Sequence, residues 1–389
     1  MSTTIIFDTD IQGHHLEYMH HLYDGALKYE NEKFIFVIPY AFEQVKDQFS
    51  WKEANHISFD LLTETELSSC RNSNLFKASY YKSKLLKQKV EKHTATNVFL
   101  IMLMQFLPFI VFFHPKKVKI SGIIYRIYLY EWKQLSVLKK VQDVLKYYFL
   151  TYCSFFDTLF ILNDTSATAY LNRIYKTKKF KFLPDPIVAI EPEKITDFRS
   201  EYKISNDQIM ILHFGGLTER KGTMEIMKAI SLLTIEQRKK FVFIFAGKIY
   251  KDIKDDFYQK HEELKDSVSI IVFDKFISYE FINSLCYSTD YIIAPYYNTA
   301  QSSGVMGYAI HYSKPIIVPK DGLLGKLARR YHLSYCLDYN KCNSIKKTLV
   351  DIPMENIDEN KGFFESNNID SFISSVFVYI RPNDRTEFV

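Results

Sequence analysis

Thirteen short, almost wholly apolar runs punctuate the chain. Seven come early: TTIIFDTD (3–10), KFIFVIPY (33–40), HISFDLL (56–62), VFLIML (98–103), KISGIIYR (119–126), DTLFILND (157–164) and KFKFLPDPI (179–187). Six come later: QIMILHFGG (208–216), KFVFIFAG (240–247), VSIIVFDKF (268–276), DYIIAPY (290–296), KPIIVP (314–319) and SYCLDY (334–339). Runs without polar alternation belong to parallel strands covered by helices on both faces of a sheet. The segments between them read as amphipathic helices. HLEYMHHLYDGALKY (15–29) and KGTMEIMKAISLL (221–233) carry apolar residues at helical spacing. Repeated strand–helix alternation predicts a doubly wound α/β architecture.

The alternation pauses at LPDPIVAIEPEKITDF (183–198), where prolines and charges cluster, so the hinge is placed near residues 184–200. Two Rossmann-like domains are expected, over 1–188 and 189–389, with a cleft between them and a ligand edge at the carboxyl ends of each set of strands. DSFISSVFVYI (370–380) predicts a last helix. Whether that helix, near 368–381, packs back on the first domain is left open.

Two segments raise the question of a membrane. NVFLIMLMQFLPFIVFF (97–113) is uncharged and close to spanning length, but Gln105 and Pro108 interrupt it and strand patterns resume beyond it. A buried strand followed by a short apolar helix is expected, with a membrane-touching surface as the alternative. VLKKVQDVLKYYFLTYC (137–153) mixes lysines with Tyr and Phe on a helical pattern. Core packing with a solvated lysine face is the expectation there, and rest on an anionic lipid surface the alternative.

Composition narrows the class. A chain of 389 residues, 47% hydrophobic and 24% charged, supports two packed globular domains. With 50 basic against 45 acidic residues the net charge is +5, too mild to argue for nucleic acid. It suits an anionic substrate or an anionic membrane surface. Cys70, Cys153, Cys286, Cys336 and Cys342 form no CxxC pair, which points to free thiols in a reducing compartment. MSTTIIFDTDIQGHH lacks the basic region and cleavage site of a signal peptide, so a cytoplasmic location is expected, with peripheral contact at the inner membrane face as an option.

The candidate chemistry begins at ILHFGGLTERKG (211–222), where an apolar strand runs into Gly215 and Gly216 and then Arg220, Lys221 and Gly222. Bare backbone at a strand–helix turn lets N–H groups approach an anion, and the following helix start favours negative charge. Arg220 and Lys221 add full charges, so a phosphate or diphosphate cradle is expected; the alternative is a tight turn with solvated cations. In YYNTAQSSGVMGYAIHYSKPIIV (296–318) the polar loop Gln301-Ser302-Ser303-Gly304 opens a second helix. Ser302 and Ser303 either cap that helix or share its N–H groups with the same diphosphate. No Walker loop, G-x-S-x-G or zinc spacing is present.

FGGLTERKGTMEIMKAI, FIFAGK, FDKFISYEFINSLCYSTDYIIAPY and the SSGV…YAIHYSKPII segment together resemble the C-terminal half of a GT-B glycosyltransferase. The nearest group is the large group-one, retaining type (family four). The resemblance covers residues 180–340 well; earlier residues match only in strand–helix order and the glycine loop near Gly13. It implies that Lys221 binds the donor diphosphate, that Gly247 and Lys248 form a donor-side loop, and that Phe276 lies where the backbone meets the nucleotide base. The family's arginine after the strand falls on Gly216, with Arg220 as a nearby substitute. The family's paired glutamates, one on the donor sugar and one on the ribose, fall on Ala300 and Tyr308.

Asp8-Thr9-Asp10 has the form of a metal-binding DxD, but it ends the first strand of a different architecture, and a turn role or contact with acceptor hydroxyls is expected instead. GHHLEYMHHLY (13–23) places Glu17 and His20 at E-x-x-H spacing, with no second copy for a di-iron site. By resemblance, Gly13 and His14 lie on the acceptor side, and His15 or Glu17 reaches the acceptor or the transferring sugar. Histidine suits proton transfer near neutral pH; a helix with polar surface histidines is the alternative. Arg126 ends its strand, to pair with a phosphate or an acceptor carboxylate, or to stand as a surface cation.

The expectation is thus a retaining, metal-independent glycosyltransferase with no cofactor beyond its nucleotide-diphosphate sugar, acting on a glycan or lipid-linked acceptor. A sugar-nucleotide epimerase of the same fold and a non-catalytic GT-B-like partner subunit are the rivals.

Overall fold

Each of the thirteen apolar runs contains a strand. The structure is a computed structural model that describes residues 2–11, 13–72, 74–114, 117–188, 190–297, 300–337, 341–352 and 367–381. The end of the last expected run (338–339) and Asn298 and Thr299 ahead of the polar loop lie outside the described residues.

The chain forms two compact units. The first comprises Met1–Ile127, Gln134–Pro184 and the chain from Ile369 onward; the second comprises Tyr128–Lys133 and Asp185–Asn368. In the first, β1 (Thr3–Phe7), β2 (Lys33–Pro39), β3 (Ile57–Leu62), β4 (Asn97–Leu100), β5 (Lys119–Ile124), β6 (Phe156–Leu162) and β7 (Phe180–Leu183) form one sheet in the order β3-β2-β1-β4-β5-β6-β7. Its helices are α1 (His14–Leu27), α2 (Glu64–Cys70), α3 (Leu75–His93), α4 (Ile110–Phe113), α5 (Val137–Tyr152) and α6 (Thr165–Ile174).

In the second unit β8 (Ile209–Phe214), β9 (Phe241–Ala246), β10 (Ser269–Phe273), β11 (Tyr291–Ile293), β12 (Ile316–Pro319) and β13 (Ser334–Leu337) take the order β10-β9-β8-β11-β12-β13. Its helices are α7 (Phe198–Glu201), α8 (Thr223–Ser231), α9 (Ile235–Arg238), α10 (Lys254–Leu264), α11 (Tyr279–Ser288), α12 (Gly304–His311), α13 (Gly322–Arg330) and α14 (Cys342–Asp351). All strand pairs in both sheets are parallel.

In each sheet the chain first steps outward, then returns to the other side of its first strand. The reversals fall between β1 and β4 and between β8 and β11. Ligands of open α/β sheets bind at the carboxyl ends of strands at such reversals, so the topology alone selects the loops after β1, β8 and β11.

Alternation along the strands divides the second unit's core. Met210, Leu212 and Phe214 join Val242, Ile244 and Ala246 on one face of the sheet. Ile209 and Ile211 join Phe241, Phe243 and Phe245 on the other. Strands buried on both faces have no place for polar alternation, which is why they read as unbroken apolar runs.

The last helix, α15 (Ile369–Ile380), belongs to the first unit. Its Phe372, Ile373, Val376, Phe377 and Ile380 complete a core with Leu16, Met19, Leu22 and Ala26 of α1. The approach is close: a β-carbon on Gly25 would stand 2.4 Å from the Phe377 ring.

The 97–113 segment forms β4, a single tight turn and α4, as its interruptions imply. Among the described residues no helix is long and apolar enough to cross a membrane. α5 departs from expectation. Asp143, Tyr147, Leu150 and Thr151 face inward, while Val137, Leu138, Val141, Leu145, Tyr148 and Tyr152 are exposed. Asp143 is buried on the inward face, where it pairs with Arg126 at 2.9 Å and with Lys139 at 3.7 Å, and the apolar stripe faces solvent.

Phe377 is fully buried. Phe377→Ala is expected to cost about 3–5 kcal/mol. Urea unfolding of the first unit's transition measures it; a loss below about 1 kcal/mol would contradict the placement of α15 in that core.

Candidate active site

The loops after β8 and β9 meet at backbone contact. Gly215 has φ +99° and Gly247 φ +138°, conformations that side-chain-bearing residues rarely adopt. A β-carbon on Gly247 would lie 2.0 Å from the Gly215 carbonyl oxygen, and one on Gly215 would lie 2.6 Å from the Lys221 Nζ. The lysine ammonium therefore rests on bare backbone. A β-carbon on Gly216 would touch the Tyr250 ring at 3.1 Å. The loops stay paired beyond the strands, with the Leu217 N–H donating to the Lys248 carbonyl at 2.9 Å.

The loop after β11 closes on the same place. Gly222, φ +73°, sits so near Pro295 that a β-carbon would be 2.3 Å from its carbonyl oxygen. The Tyr297 N–H donates to the Arg220 carbonyl at 3.0 Å, and the Lys221 ammonium lies 5.4 Å from the Tyr296 ring centroid. Arg220 itself is exposed. The Thr218 hydroxyl in this loop is buried without a hydrogen-bond partner among the described residues.

Helices α8 and α12 start here, and neither has a side-chain cap. In α9 and α11 Thr234 and Ser278 perform that role. Ser302 and Ser303, which had capping as one reading, bond elsewhere. The Ser302 hydroxyl donates to the Asp185 carboxylate at 3.1 Å and that of Ser303 to the Tyr296 hydroxyl at 3.4 Å. Gln301 is half-buried and Gly304 exposed. Two uncapped helix starts and an ammonium group suit an anion rich in oxygen.

His213 underlies the loop from β8. Its Nδ1 pairs with the Ile293 carbonyl at 2.9 Å and its Nε2 with the Thr223 hydroxyl at 3.0 Å, joining β8, β11 and the start of α8. A carbonyl only accepts, so Nδ1 carries the proton and Nε2 accepts from Thr223. Burial, aided by the charge of Lys221, pushes His213 down to about 4 and keeps it neutral.

On the nucleotide side Lys248 is exposed, and Phe276 is 72% exposed beyond the carboxyl end of β10. Ala300 and Tyr308 are both buried, and Tyr308 packs edge-on against Phe214. Those two positions supply no carboxylate. Asp185, bonded to Ser302, brings one to the polar loop from the start of the unit. In the sequence Asp185 shows only as part of the proline-rich hinge (183–198).

In the first unit the reversal between β1 and β4 holds a buried pair. Asp8, just past β1, accepts from His15 Nδ1 at 2.6 Å. The other oxygen of Asp8 takes the Asp10 N–H at 3.1 Å. A carboxylate on Nδ1 leaves Nε2 as the acceptor of the neutral ring. Burial lowers the His15 pKa, but the Asp8 bond and the charges of Asp8 and Asp10 outweigh it, and the net shift is upward. Sequence reading singled out Asp8-Thr9-Asp10 and His15 separately; the pair needed the strand and the helix start to meet.

Gly13 precedes α1 with φ +60°, and the His14 ring stacks on His15 at 4.6 Å. Glu17 lies 3.7 Å from His21, not beside His20, which bonds the Ser50 carbonyl and stacks on Phe49. The E-x-x-H spacing therefore does not converge. Among the described residues no cluster of metal-ligating side chains forms. Arg126 is ion-paired at 2.9 Å with buried Asp143. Of the four cysteines whose side chains are described, all are free thiols.

No protein-family model and no curated protein sequence matches the chain. Solved structures do. WaaG, a glycosyltransferase involved in lipopolysaccharide biosynthesis, is similar with a TM-score of 0.62 at 13% identity, over 98% of this chain and 100% of that one. Anabaena HepE in complex with UDP-glucose gives 0.59 at 12%, over 97% and 95%. UDP-GlcNAc 2-epimerase from Methanocaldococcus jannaschii gives 0.58 at 14%, over 97% and 99%. At such identities the likeness establishes the fold: the chain has the GT-B fold, made of two Rossmann-like units.

Two measurements test this geometry. Gly247→Ala is expected to lose about 2–4 kcal/mol from strain and overlap, whereas Gly304→Ala, with open space around it, changes stability little. Chemical denaturation of both variants checks this; equal losses would contradict the packed loop. For His213, the unfolded imidazole takes up a proton below about pH 6.5, while the folded one refuses it down to about 4. Stability therefore falls as pH drops through that window, by up to about 3 kcal/mol at its lower end. His213→Gln is expected to flatten this dependence in urea titrations at successive pH values.

Proposed function

We propose that the protein transfers a sugar from a nucleotide-diphosphate donor to a hydroxyl of a glycan or lipid-linked acceptor. The observation that carries this reading is the Lys221 ammonium seated on Gly215 between two uncapped helix starts. In the reaction the bond from the anomeric carbon to the diphosphate oxygen breaks, and its electron pair leaves with the diphosphate. Lys221, Arg220, the amide of Gly216 and the loop Gln301-Ser302-Ser303-Gly304 stabilise that growing charge without metal, while the Gly215 N–H donates to the Ala246 carbonyl and lets Lys221 lie over bare backbone. Gly247, Lys248 and Phe276 hold the nucleotide. The HepE complexes with UDP and UDP-glucose support a UDP-sugar as donor.

The acceptor side falls to the first unit, with Gly13 and His14 beside it. His15 Nε2 takes the acceptor hydroxyl's proton while Asp8 holds the ring and stabilises the imidazolium. Glu17, 3.7 Å from His21, is the second candidate to reach the acceptor or the transferring sugar. Arg126 is withdrawn from catalysis in this reading, because Asp143 already occupies its guanidinium. Retention of anomeric configuration rests on the family resemblance, and a proton acceptor at His15 is compatible with either stereochemical course. A cytoplasmic location and a role in polysaccharide biosynthesis belong to the same proposal.

A panel of nucleotide sugars, with and without glycan acceptors, tests the reading. Free nucleotide diphosphate formed only with acceptor supports transfer. Altered sugar nucleotide formed without acceptor would establish the epimerase instead, and neither binding nor turnover the partner subunit. Lys221→Ala is expected to lower kcat/KM by about 10²–10³-fold. The pH profile of kcat/KM should rise through an apparent pKa above the usual histidine value of about 6.5, because His15 must be neutral to accept. Asp8→Asn should move that pKa down and slow the reaction; an unmoved profile would remove His15 from the mechanism.

A further inference from the structure

The outward face of α5 is more apolar than its buried face. Val137, Leu138, Val141, Leu145, Tyr148 and Tyr152 are 48–76% exposed. At about 100° per residue these six positions fall within one window about 100° wide. Lys140 flanks the window on one side; Lys146 and Lys139 lie about 80–100° beyond its other edge, where the Lys139 ammonium stands 3.7 Å from Asp143. Soluble proteins rarely leave so continuous an apolar stripe uncovered.

α6 extends the surface. The Tyr152 hydroxyl donates to the Tyr175 carbonyl just beyond α6, and Tyr170 and Ile174 of α6 are exposed as well. The β5–β6 and β6–β7 crossovers step in the same direction across the sheet, so right-handed connection puts both helices on one face.

Charge selects what covers it. Between residues 137 and 181 stand eight lysines and arginines against three acids, the same excess of five that the whole chain carries. The acids are turned away from the face. Asp143 is buried on Arg126, Asp164 is buried as the cap of α6, and Asp157 is half-buried and accepts from Thr158. Burial and the neighbouring charge of Lys139 press Lys146 below the usual lysine range, against the opposing pull of Asp143.

We infer that the α5–α6 face rests on an anionic lipid bilayer surface, its apolar side chains entering the headgroup boundary and its lysines reaching the lipid phosphates. Aliphatic residues flanked by lysines and tyrosines match an interfacial helix. Each basic group near an anionic surface adds about 1 kcal/mol, so attachment depends on lipid charge. The inference does not require the proposed transfer reaction, although a lipid-linked acceptor would give it a purpose.

Vesicle flotation of the full-length chain tests it, comparing pure phosphatidylcholine with phosphatidylcholine containing roughly one third phosphatidylglycerol. Binding to the anionic vesicles should exceed that to neutral ones by at least about tenfold and fall with added salt. Val141→Asp combined with Leu145→Asp should abolish it, and Lys140→Glu with the exposed Lys176→Glu should reduce it by about tenfold or more. All four positions lie outside the candidate active site, so the UDP-induced melting shift should be unchanged in these variants and reports separately on the donor site. Equal binding to both vesicles, binding to neither, or unchanged binding by the Asp variant would overturn the inference. So would a protein dimer that the same variants dissolve in the absence of vesicle binding.

Discussion

The carbonyl of Gly215 and the backbone of Gly247 pass at a distance that excludes even a methyl group. That contact fixes the second unit's working edge. It holds the loops after two adjacent strands flush, and it exposes peptide groups where other residues would place side chains. Lys221 can then lie over Gly215, and the contact of Gly222 with Pro295 brings in the loop from β11. Glycine is a poor choice for stability inside regular structure. Here it sits where close approach demands it.

The charge pattern around that edge is consistent with one kind of ligand. His213 underlies it as a neutral ring, so it adds no charge of its own while tying three elements together. Two helices begin there with their N–H groups uncapped by side chains. At Ala300 and Tyr308, where the resembling family carries glutamates, the chain has a buried methyl and a buried ring. The carboxylate nearest the polar loop by hydrogen bonding is Asp185, held through Ser302. The first unit contributes a different chemistry, a buried carboxylate–imidazole pair at the reversal of its sheet.

The sheets were legible because their strands are buried on both sides, and burial on both sides leaves an unmistakable apolar run. The glycine loops were legible for a related reason, since bare backbone next to cations has few structural uses. Side-chain partnerships were harder to read. Asp8 and His15 were each conspicuous, but only the meeting of β1 with α1 makes them a pair. Arg126 looked available until the fold brought Asp143 to it across seventeen positions. That bond lies on the inward side of α5, and a helix whose pattern suggested an apolar inner face shows that face to solvent. His20, matched to Glu17 by spacing, is taken instead by the Ser50 carbonyl thirty residues away.

Amide hydrogen exchange on the free chain and on the chain saturated with UDP would examine the donor edge most directly. Slowed exchange concentrated at Gly216 and at the first turns of α8 and α12, absent in Lys221→Ala, is the result this account requires. Protection that leaves those amides unchanged and gathers elsewhere in the chain would contradict it.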